Sequence, residues 1–559
     1  MGLIHKLILT AALSGAAVAA QAAEARFDRF TYSGNDPVYA TVKPGPGDYL
    51  NPILAGFYPD PSITQVGGDY YLINSTFAYF PGIPIFHSRD LVNWTQIGNA
   101  IDRPGQLKFD GLRTSRAVFA PAIEHHNGVF YIANTCIDCG GNFIVTAKDP
   151  AGPWSDPIWL PEFDGIDPSL FFDEGGKVWL VNNGPPEGTP LYEGHRAIWI
   201  QEFDLAAIKL TGPRRVLVNG GVDLAKKPIW AEGPHIFKRN GWYYLIAAEG
   251  GTAEDHSQTV YRARTLDGPF VPWERNPILT QRHLPADRPF PITSAGHADF
   301  VQAPGGEWWT IFLATRPYAD DHYNTGRETF LLPVTWTDDD WPMILAGDAT
   351  IPVVHKRPNL PPQPAPKIPT HGDFTVVEDF EGKALPPYWL TIRTPKTAWW
   401  RLDGGALALD ARPDAVGDLS AQPSFWGRRQ QHTNMTATTT VRFTPEKNGD
   451  KAGLLAMQSD EHFYFLGLVR DGGRDVVRLE RRSGQAAPVV VASAPVTLAP
   501  GAPLDLKVEA RGGTYDFSYA AQPGRWTVLA KDADGRILST KTAGGFVGVL
   551  IGPYAQSGQ

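Results

Sequence analysis

A chain of 559 residues is far longer than one hydrophobic core requires and points to two or more domains. Its mild acidic balance, 50 Lys and Arg against 59 Asp and Glu, argues against a nucleic-acid partner, which would call for clustered cations, and favours a neutral one. The 17 Trp, 19 Tyr and 28 Phe, set among 57 Gly and 50 Pro, favour a β-rich chain with many tight turns.

Met1 to Lys6 is short and charged, Leu7 to Ala20 is apolar, and small residues surround Ala20-Gln21-Ala22. That order predicts a secretory signal peptide over residues 1–22, and hence an exported protein, periplasmic or secreted. The apolar run is shorter than the roughly 20 residues a membrane span needs, and no other long one follows, so no membrane partner is expected.

The segment Asn51 to Ile63 holds Asp60 in a Pro-rich turn just before an apolar strand. Asp before Pro is by itself ordinary turn chemistry. The construction recurs, however, at Asp167-Pro-Ser-Leu170 and, shifted by one residue, at Ala231-Glu232-Gly-Pro-His-Ile236. Around these acids, a turn followed by an aromatic or β-branched strand appears five times, opening at Gly68, Gly128, Gly176, Gly241 and Gly306, each after a short apolar strand. The step from Ile63 to Tyr70, Ile123 to Phe130, Ile236 to Tyr243 and Val301 to Trp308 is seven residues, and the third unit is longer by one. Repeats of this size without an amphipathic helix predict a five-bladed β-propeller over residues 23–351. The first strand of every blade then lines the axis, so Asp60, Asp167 and Glu232 face a single pocket.

Hydrolysis of a glycosidic bond needs one carboxylic acid to protonate the leaving oxygen and one carboxylate to activate water or attack the sugar. A third acid nearby raises the pKa of the first by like-charge repulsion. Three converging carboxylates match this chemistry better than a metal site. Within the second repeat lies Cys136-Ile-Asp-Cys139, too few ligands for zinc and followed by a strand rather than the helix of a thioredoxin motif. In an exported protein the pair forms either a small loop disulfide or two free thiols.

The segments Phe57-Tyr-Pro-Asp60-Pro-Ser, Gly165-Ile-Asp167-Pro-Ser, Ala231-Glu232-Gly-Pro-His, Gly296-His297-Ala-Asp299 and Asn324-Thr-Gly-Arg327-Glu-Thr, with Pro81 to Ile85 and Asp90 to Trp94, make the chain resemble family 43 glycoside hydrolases. These are five-bladed propellers that include β-xylosidases and α-L-arabinofuranosidases. The resemblance implies an inverting mechanism with Asp60 as general base, Glu232 as general acid and Asp167 as the residue that tunes and orients the acid. The substrate it implies is an oligosaccharide or polysaccharide: release of xylose from β-1,4-xylo-oligosaccharides, with α-L-arabinofuranosidase action on side chains as the alternative. For substrate contacts it points to Arg327 and His297, the latter also as part of a central ion or water site. Phe77 and Phe119 stand where stacking aromatics are expected, and Asn142 is placed at the rim. No cofactor is implied for the reaction. Some members hold calcium on the propeller axis, but no acidic loop here resembles a dedicated calcium site.

Two motifs depart from the better-known β-xylosidases: Phe119-Ala-Pro stands for Trp-Ala-Pro, and Ala78-Tyr79 for a bulkier acidic–aromatic pair. Both touch the wall expected to contact sugar, so the chemistry stands while the sugar stays open. A retaining hydrolase of the sucrose-cleaving kind would need an Asn-Asp-Pro-Asn-Gly motif, which is absent. A non-catalytic carbohydrate-binding propeller would be betrayed by loss of one of the three acids.

Residues 352–372 are a Pro-rich, extended linker. From Asp373 the pattern changes to alternating strands between Gly, Asp and Pro turns, as in Met435 to Val441 and Leu504 to Glu509, which predicts an antiparallel β-sandwich over residues 373–559, concanavalin-like in the resembling enzymes. In those enzymes the sandwich packs on the propeller and lends an aromatic to the pocket. Nothing in the sequence names that residue here or fixes the oligomeric state.

Overall fold

A computed structural model describes residues 23–558; the signal-peptide expectation over residues 1–22 lies outside them. The chain is nearly all β, in two parts that share an apolar interface.

The five repeats form five blades around an axis. Their inner strands are Ser62–Val66, Ala122–His126, Ile166–Phe172, Glu232–Arg239 and Thr293–Gln302. Each pairs antiparallel with the aromatic strand after it, through Ser62 and Ile73, Ile123 and Ile132, Leu170 and Leu180, Ile236 and Leu245, and Val301 and Trp309. Each inner strand also packs on that of the next blade, the fifth on the first, so the ring closes. Apolar cores fill the spaces between blades, because both faces of each sheet must be covered.

Three inner strands lose register near the acids: between Ile166 and Ser169, between Glu232 and His235, and on both sides of Gly296. Such bulges redirect a side chain out of the pleat. They act where Asp167, Glu232 and His297 must point along the axis rather than into a sheet face.

The sandwich consists of an eight-stranded and a seven-stranded antiparallel sheet over one core. The strand Glu24–Gly34 belongs to it, so the assignment of residues 23–34 to the propeller is corrected. This strand pairs with Phe374–Glu378, Leu407–Asp410 and Asn434–Arg442. The physical reason is its alternation: Ala25 and Phe27, then Phe30 and Tyr32 past a bulge, bury one face among sandwich residues. The Pro-rich segment runs extended along the propeller, with Val354–Lys356 paired to Asp48–Leu50. Cys136 and Cys139 are joined in a disulfide across the hairpin turn between Val129–Ile137 and Gly141–Ala147.

The two parts are locked by polar contacts around a shared apolar cluster that includes Phe57, Phe77 and Tyr79 from the propeller and Ile392, Phe425 and Phe465 from the sandwich. Thr391 and Ile392 add a short strand to Tyr79 and Phe80. Arg429 of the sandwich donates to the Phe57 carbonyl at 2.6 Å and lies over the Tyr58 ring at 4.1 Å. Arg316 of the propeller is buried between Glu328, at 2.6 and 2.8 Å, and Asp36 at 2.5 Å; Asp36 in turn accepts from Thr433 and the Asn434 N–H of the sandwich.

Candidate active site

One cavity of about 730 Å³ is lined by Asp60, Asp167 and Glu232 together with Phe77, Phe119, His297 and Arg327. The topology thus gathers seven of the eight residues singled out in the sequence.

Two of the three acids, with His297 and Phe77, are set by backbone that few residues adopt. Asp60 has φ 50°, Asp167 φ 54°, His297 φ 51° and Phe77 φ 50°, all left-handed. Each such non-glycine residue costs about 1–3 kcal/mol, a strain that persists where the surrounding fold over-determines it and that clusters at working sites. Gly233, at φ 56°, lies against the His297 ring, where an added Cβ would stand 2.7 Å from Nε2. Glycine is required there for His297 to reach the cavity.

Asp60 is 5 % exposed. Its Oδ1 accepts from Arg327 Nη1 at 2.8 Å, and its Oδ2 from Arg327 Nη2 at 3.2 Å and from Ser75 Oγ at 2.5 Å. Burial pushes its pKa up, but the Arg327 charge, aided by His297 and Ser75, outweighs that and holds it below the ordinary carboxylate value. Asp60 is therefore ionised at neutral pH.

Glu232 is buried, and among the described residues its carboxyl makes no hydrogen bond. Burial, then the negative charges of Asp167 and Asp60, raise its pKa well above the usual range against the weaker pull of Arg327 and Arg196. Asp167 Oδ2 accepts from Asn183 Nδ2 at 3.1 Å and from the Gly233 N–H at 3.2 Å. Burial first and Asp60 second push Asp167 up to about 7. Asp167 and Glu232 titrate as a pair. Asp60 and Glu232, with opposite protonation, thus line one cavity and can supply a base and an acid to it.

His297, buried with its pKa pushed down to about 4 by desolvation, is a neutral ring 3.9 Å from Asp60. Arg327 does not pair with Glu328, which is taken by Arg316 and the Gly56 N–H; its fork is spent on Asp60.

Asn142 is a correction. Its side chain is 2 % exposed and does not line the cavity: Oδ1 accepts from Thr135 at 2.6 Å, and Nδ2 donates to the Phe163 and Gly165 carbonyls at 2.5 and 3.0 Å. An amide so fully used has nothing left for a sugar, and its task is to fix the turn that delivers Asp167. Tyr79 is likewise turned into the propeller–sandwich interface.

The sandwich aromatic that the sequence left unnamed is Phe546. It lines the cavity, stacks on Phe77 at 5.7 Å between centroids, meets Phe119 edge-on at 5.7 Å, and lies 5.6 Å from the Arg327 guanidinium. Its N–H donates to Ser115 Oγ of the propeller at 2.9 Å, and Gly545 before it leaves no room for a Cβ beside Ser115. Gly544-Gly545-Phe546 just before the last strand was the available signal, unreadable without the docking of the two domains. Tyr323 and Trp230 also line the cavity and were not singled out.

On the axis, Asp299 Oδ2 accepts from Ser62 Oγ at 2.8 Å and the Ile63 N–H at 3.0 Å, and Oδ1 accepts from the Phe300 N–H at 2.8 Å. Among the described residues no three His, Cys, Asp or Glu side chains converge as metal ligands.

The model of glycosyl hydrolases family 43 matches residues 49–342, and that of the β-xylosidase C-terminal concanavalin A-like domain matches residues 377–559. The chain is 39 % identical over 515 residues to a xylosidase/arabinosidase of Butyrivibrio fibrisolvens, covering 91 % of this chain and 95 % of that protein. It is 34 % identical over 513 residues to a non-reducing end α-L-arabinofuranosidase of Bacteroides ovatus, covering 91 % of each. Among solved structures, a GH43_12 protein retrieved from capybara gut metagenome is 40 % identical with a TM-score of 0.87, covering 96 % of this chain and 100 % of that one. A xylan β-1,4-xylosidase from Bacillus halodurans is 32 % identical with a TM-score of 0.81, covering 91 % of this chain and 97 % of that one. Propeller and sandwich agree with these matches along almost the whole length, and the chain belongs to glycoside hydrolase family 43.

Proposed function

We propose that the protein is an exo-acting, inverting β-xylosidase that releases xylose from the non-reducing end of β-1,4-xylo-oligosaccharides. The observation that carries this reading is the opposed protonation of Asp60 and Glu232 on one cavity. Asp60, ionised by Arg327, is the general base and takes a proton from water as the water oxygen attacks the anomeric carbon. Glu232, kept protonated, gives its proton to the glycosidic oxygen as the bond to the leaving sugar breaks. Asp167 raises the affinity of Glu232 for that proton and is itself oriented by Asn183 and Gly233. Inversion requires base and acid on opposite faces of the sugar, with room between them for the water. His297 and the Arg327 edge supply the polar wall for the sugar, and Phe77, Phe119 and Phe546 the apolar one.

This aromatic cluster stands around Arg327, on the Asp60 side, where it would stand behind a terminal residue. That supports exo action. The names of the Butyrivibrio and Bacillus halodurans proteins support xylose as the sugar. The second reading, α-L-arabinofuranosidase, is favoured by the Bacteroides ovatus relative and by the double name of the Butyrivibrio one.

Hydrolysis of nitrophenyl β-D-xylopyranoside and α-L-arabinofuranoside by wild type and Asp60→Asn tests both. Turnover of the xyloside that vanishes in the variant, with α-xylose as the first product by NMR, is expected. Turnover of the arabinoside alone gives the second reading, and sugar binding without turnover a binding propeller. Export by the leader at residues 1–22 belongs to the same proposal, and a mature protein starting near Ala23 is its expected signature.

A further inference from the structure

The segment that carries Glu232 also carries a large aromatic with no part in the steps above. Trp230, two residues before Glu232, lines the same cavity and is 38 % exposed. Its φ of 52° is left-handed, a genuine outlier for a bulky side chain. That backbone is held from several directions: the Trp230 N–H donates to the Gly194 carbonyl at 2.9 Å, the Ile229 carbonyl accepts from the Gly250 N–H at 2.9 Å, and the Tyr192 hydroxyl donates to the Pro228 carbonyl at 2.8 Å. Strain retained to keep an indole in contact with solvent has no stabilising purpose.

Behind the ring lies Arg196, its guanidinium carbon 5.0 Å from the ring centroid. Arg196 does not line the cavity, so it covers one side of the indole and leaves the cavity side open. The same guanidinium reaches inward: Nε and Nη2 donate to Asn183 Oδ1 at 2.9 and 2.7 Å, and Asn183 Nδ2 donates to Asp167. A continuous chain runs from the Trp230 ring through Arg196 and Asn183 to Asp167.

We propose that Trp230 is the platform on which the leaving-group sugar stacks, and that Arg196 is a positioning residue that couples this platform to Asp167. The inference rests on Glu232 being the general acid. The acid faces the glycosidic oxygen, so the sugar beyond that oxygen departs along the Glu232 side, where Ile229 and Trp230 stand, and away from the Phe77, Phe119 and Phe546 cluster around Arg327. The ligand class is an uncharged pentose or hexose ring offering an apolar C–H face to the indole.

The test compares xylobiose, whose leaving group is a sugar ring, with β-D-xylopyranosyl fluoride, whose leaving group is not. Trp230→Ala is expected to lower kcat/KM for xylobiose about tenfold more than for the fluoride, mainly through KM, the scale of one aromatic contact. Trp230→Phe should restore most of that difference. Equal losses on both substrates would make Trp230 a structural residue and overturn the proposal, as would a wild type that cleaves the fluoride and leaves xylobiose intact. A wild type inactive on both would instead remove the xylosidase reading on which the proposal stands. Arg196→Met removes a cation that favours the charged forms of Asp167 and Glu232, so the basic limb of the pH–rate profile is expected to move to higher pH, with Arg196→Lys between the two. A basic limb that stays in place in Arg196→Met would remove Arg196 from the positioning role.

Discussion

In the proposed mechanism Glu232 must be protonated to act as the acid, and its proton is retained because burial and two neighbouring carboxyls disfavour the anion. Glu232→Gln should therefore lower kcat on xylobiose by about 10²–10⁴, the usual worth of a general acid, and much less on an aryl glycoside whose leaving group needs no proton. Equal loss on both substrates would argue against the acid role. Asp167→Asn removes the like charge, so the basic limb of the pH profile should move to lower pH. The same variant has a stability signature. A carboxyl whose folded pKa, about 7, lies above its ordinary value of 3.8 weakens the fold as pH rises between the two: the cost is absent below the lower value and complete above the higher. Asp167→Asn is thus expected to raise Tm at pH 8 and leave it unchanged at pH 3, in a thermal scan at both. That trade of stability for reactivity is common at working sites.

At the scale of elements, the Gly544–Phe546 segment is the sandwich's contribution to the cavity. Its position depends on the bond from the Phe546 N–H to Ser115 and on glycine at 545. Phe546→Ala should cost about 1–2 kcal/mol of transition-state binding, roughly tenfold in kcat/KM, with a smaller effect on Tm, because the ring is only partly buried, at the edge of the apolar cluster between the domains. Gly545→Val should do more harm than Phe546→Ala, since it displaces the loop from Ser115. If the two variants give the same kcat/KM, the ring matters and its precise seat does not.

At the scale of the molecule, propeller and sandwich are joined by a shared apolar cluster and buried polar contacts. Arg316 is the clearest point of control: it satisfies Glu328 of the propeller and Asp36, which is tied to sandwich strand Asn434–Arg442. Arg316→Ala leaves two buried carboxyls without their cation and is expected to destabilise by about 3–5 kcal/mol, read as a lower denaturant midpoint. A replacement that unfolds at the wild-type midpoint would show the network to be dispensable. Because Phe57, Phe77 and Tyr79 are buried against the sandwich, a propeller expressed alone would expose this apolar cluster.

The repeats, the five blades and the three acids were legible in the sequence because each rests on local chemistry: an Asp or Glu at a Pro-containing strand start, and alternation of period two in the strand after it. The bulges that turn Asp167, Glu232 and His297 inward left no such mark, nor did the saturation of Asn142 by the Phe163 and Gly165 carbonyls. The alternation of Ala25, Phe27, Phe30 and Tyr32 could be read as a strand, but not as a strand of the distant sandwich, since pairing partners more than 300 residues away are chosen by the fit of whole sheets. Sequence by itself picked out the groups to which the proposed chemistry is assigned, because that chemistry demands those residue types. Only the tertiary structure decided which of them are charged, which aromatics line the cavity, and how Phe546 and Trp230 reach it, because burial, charge proximity and domain docking arise between segments that the chain keeps far apart.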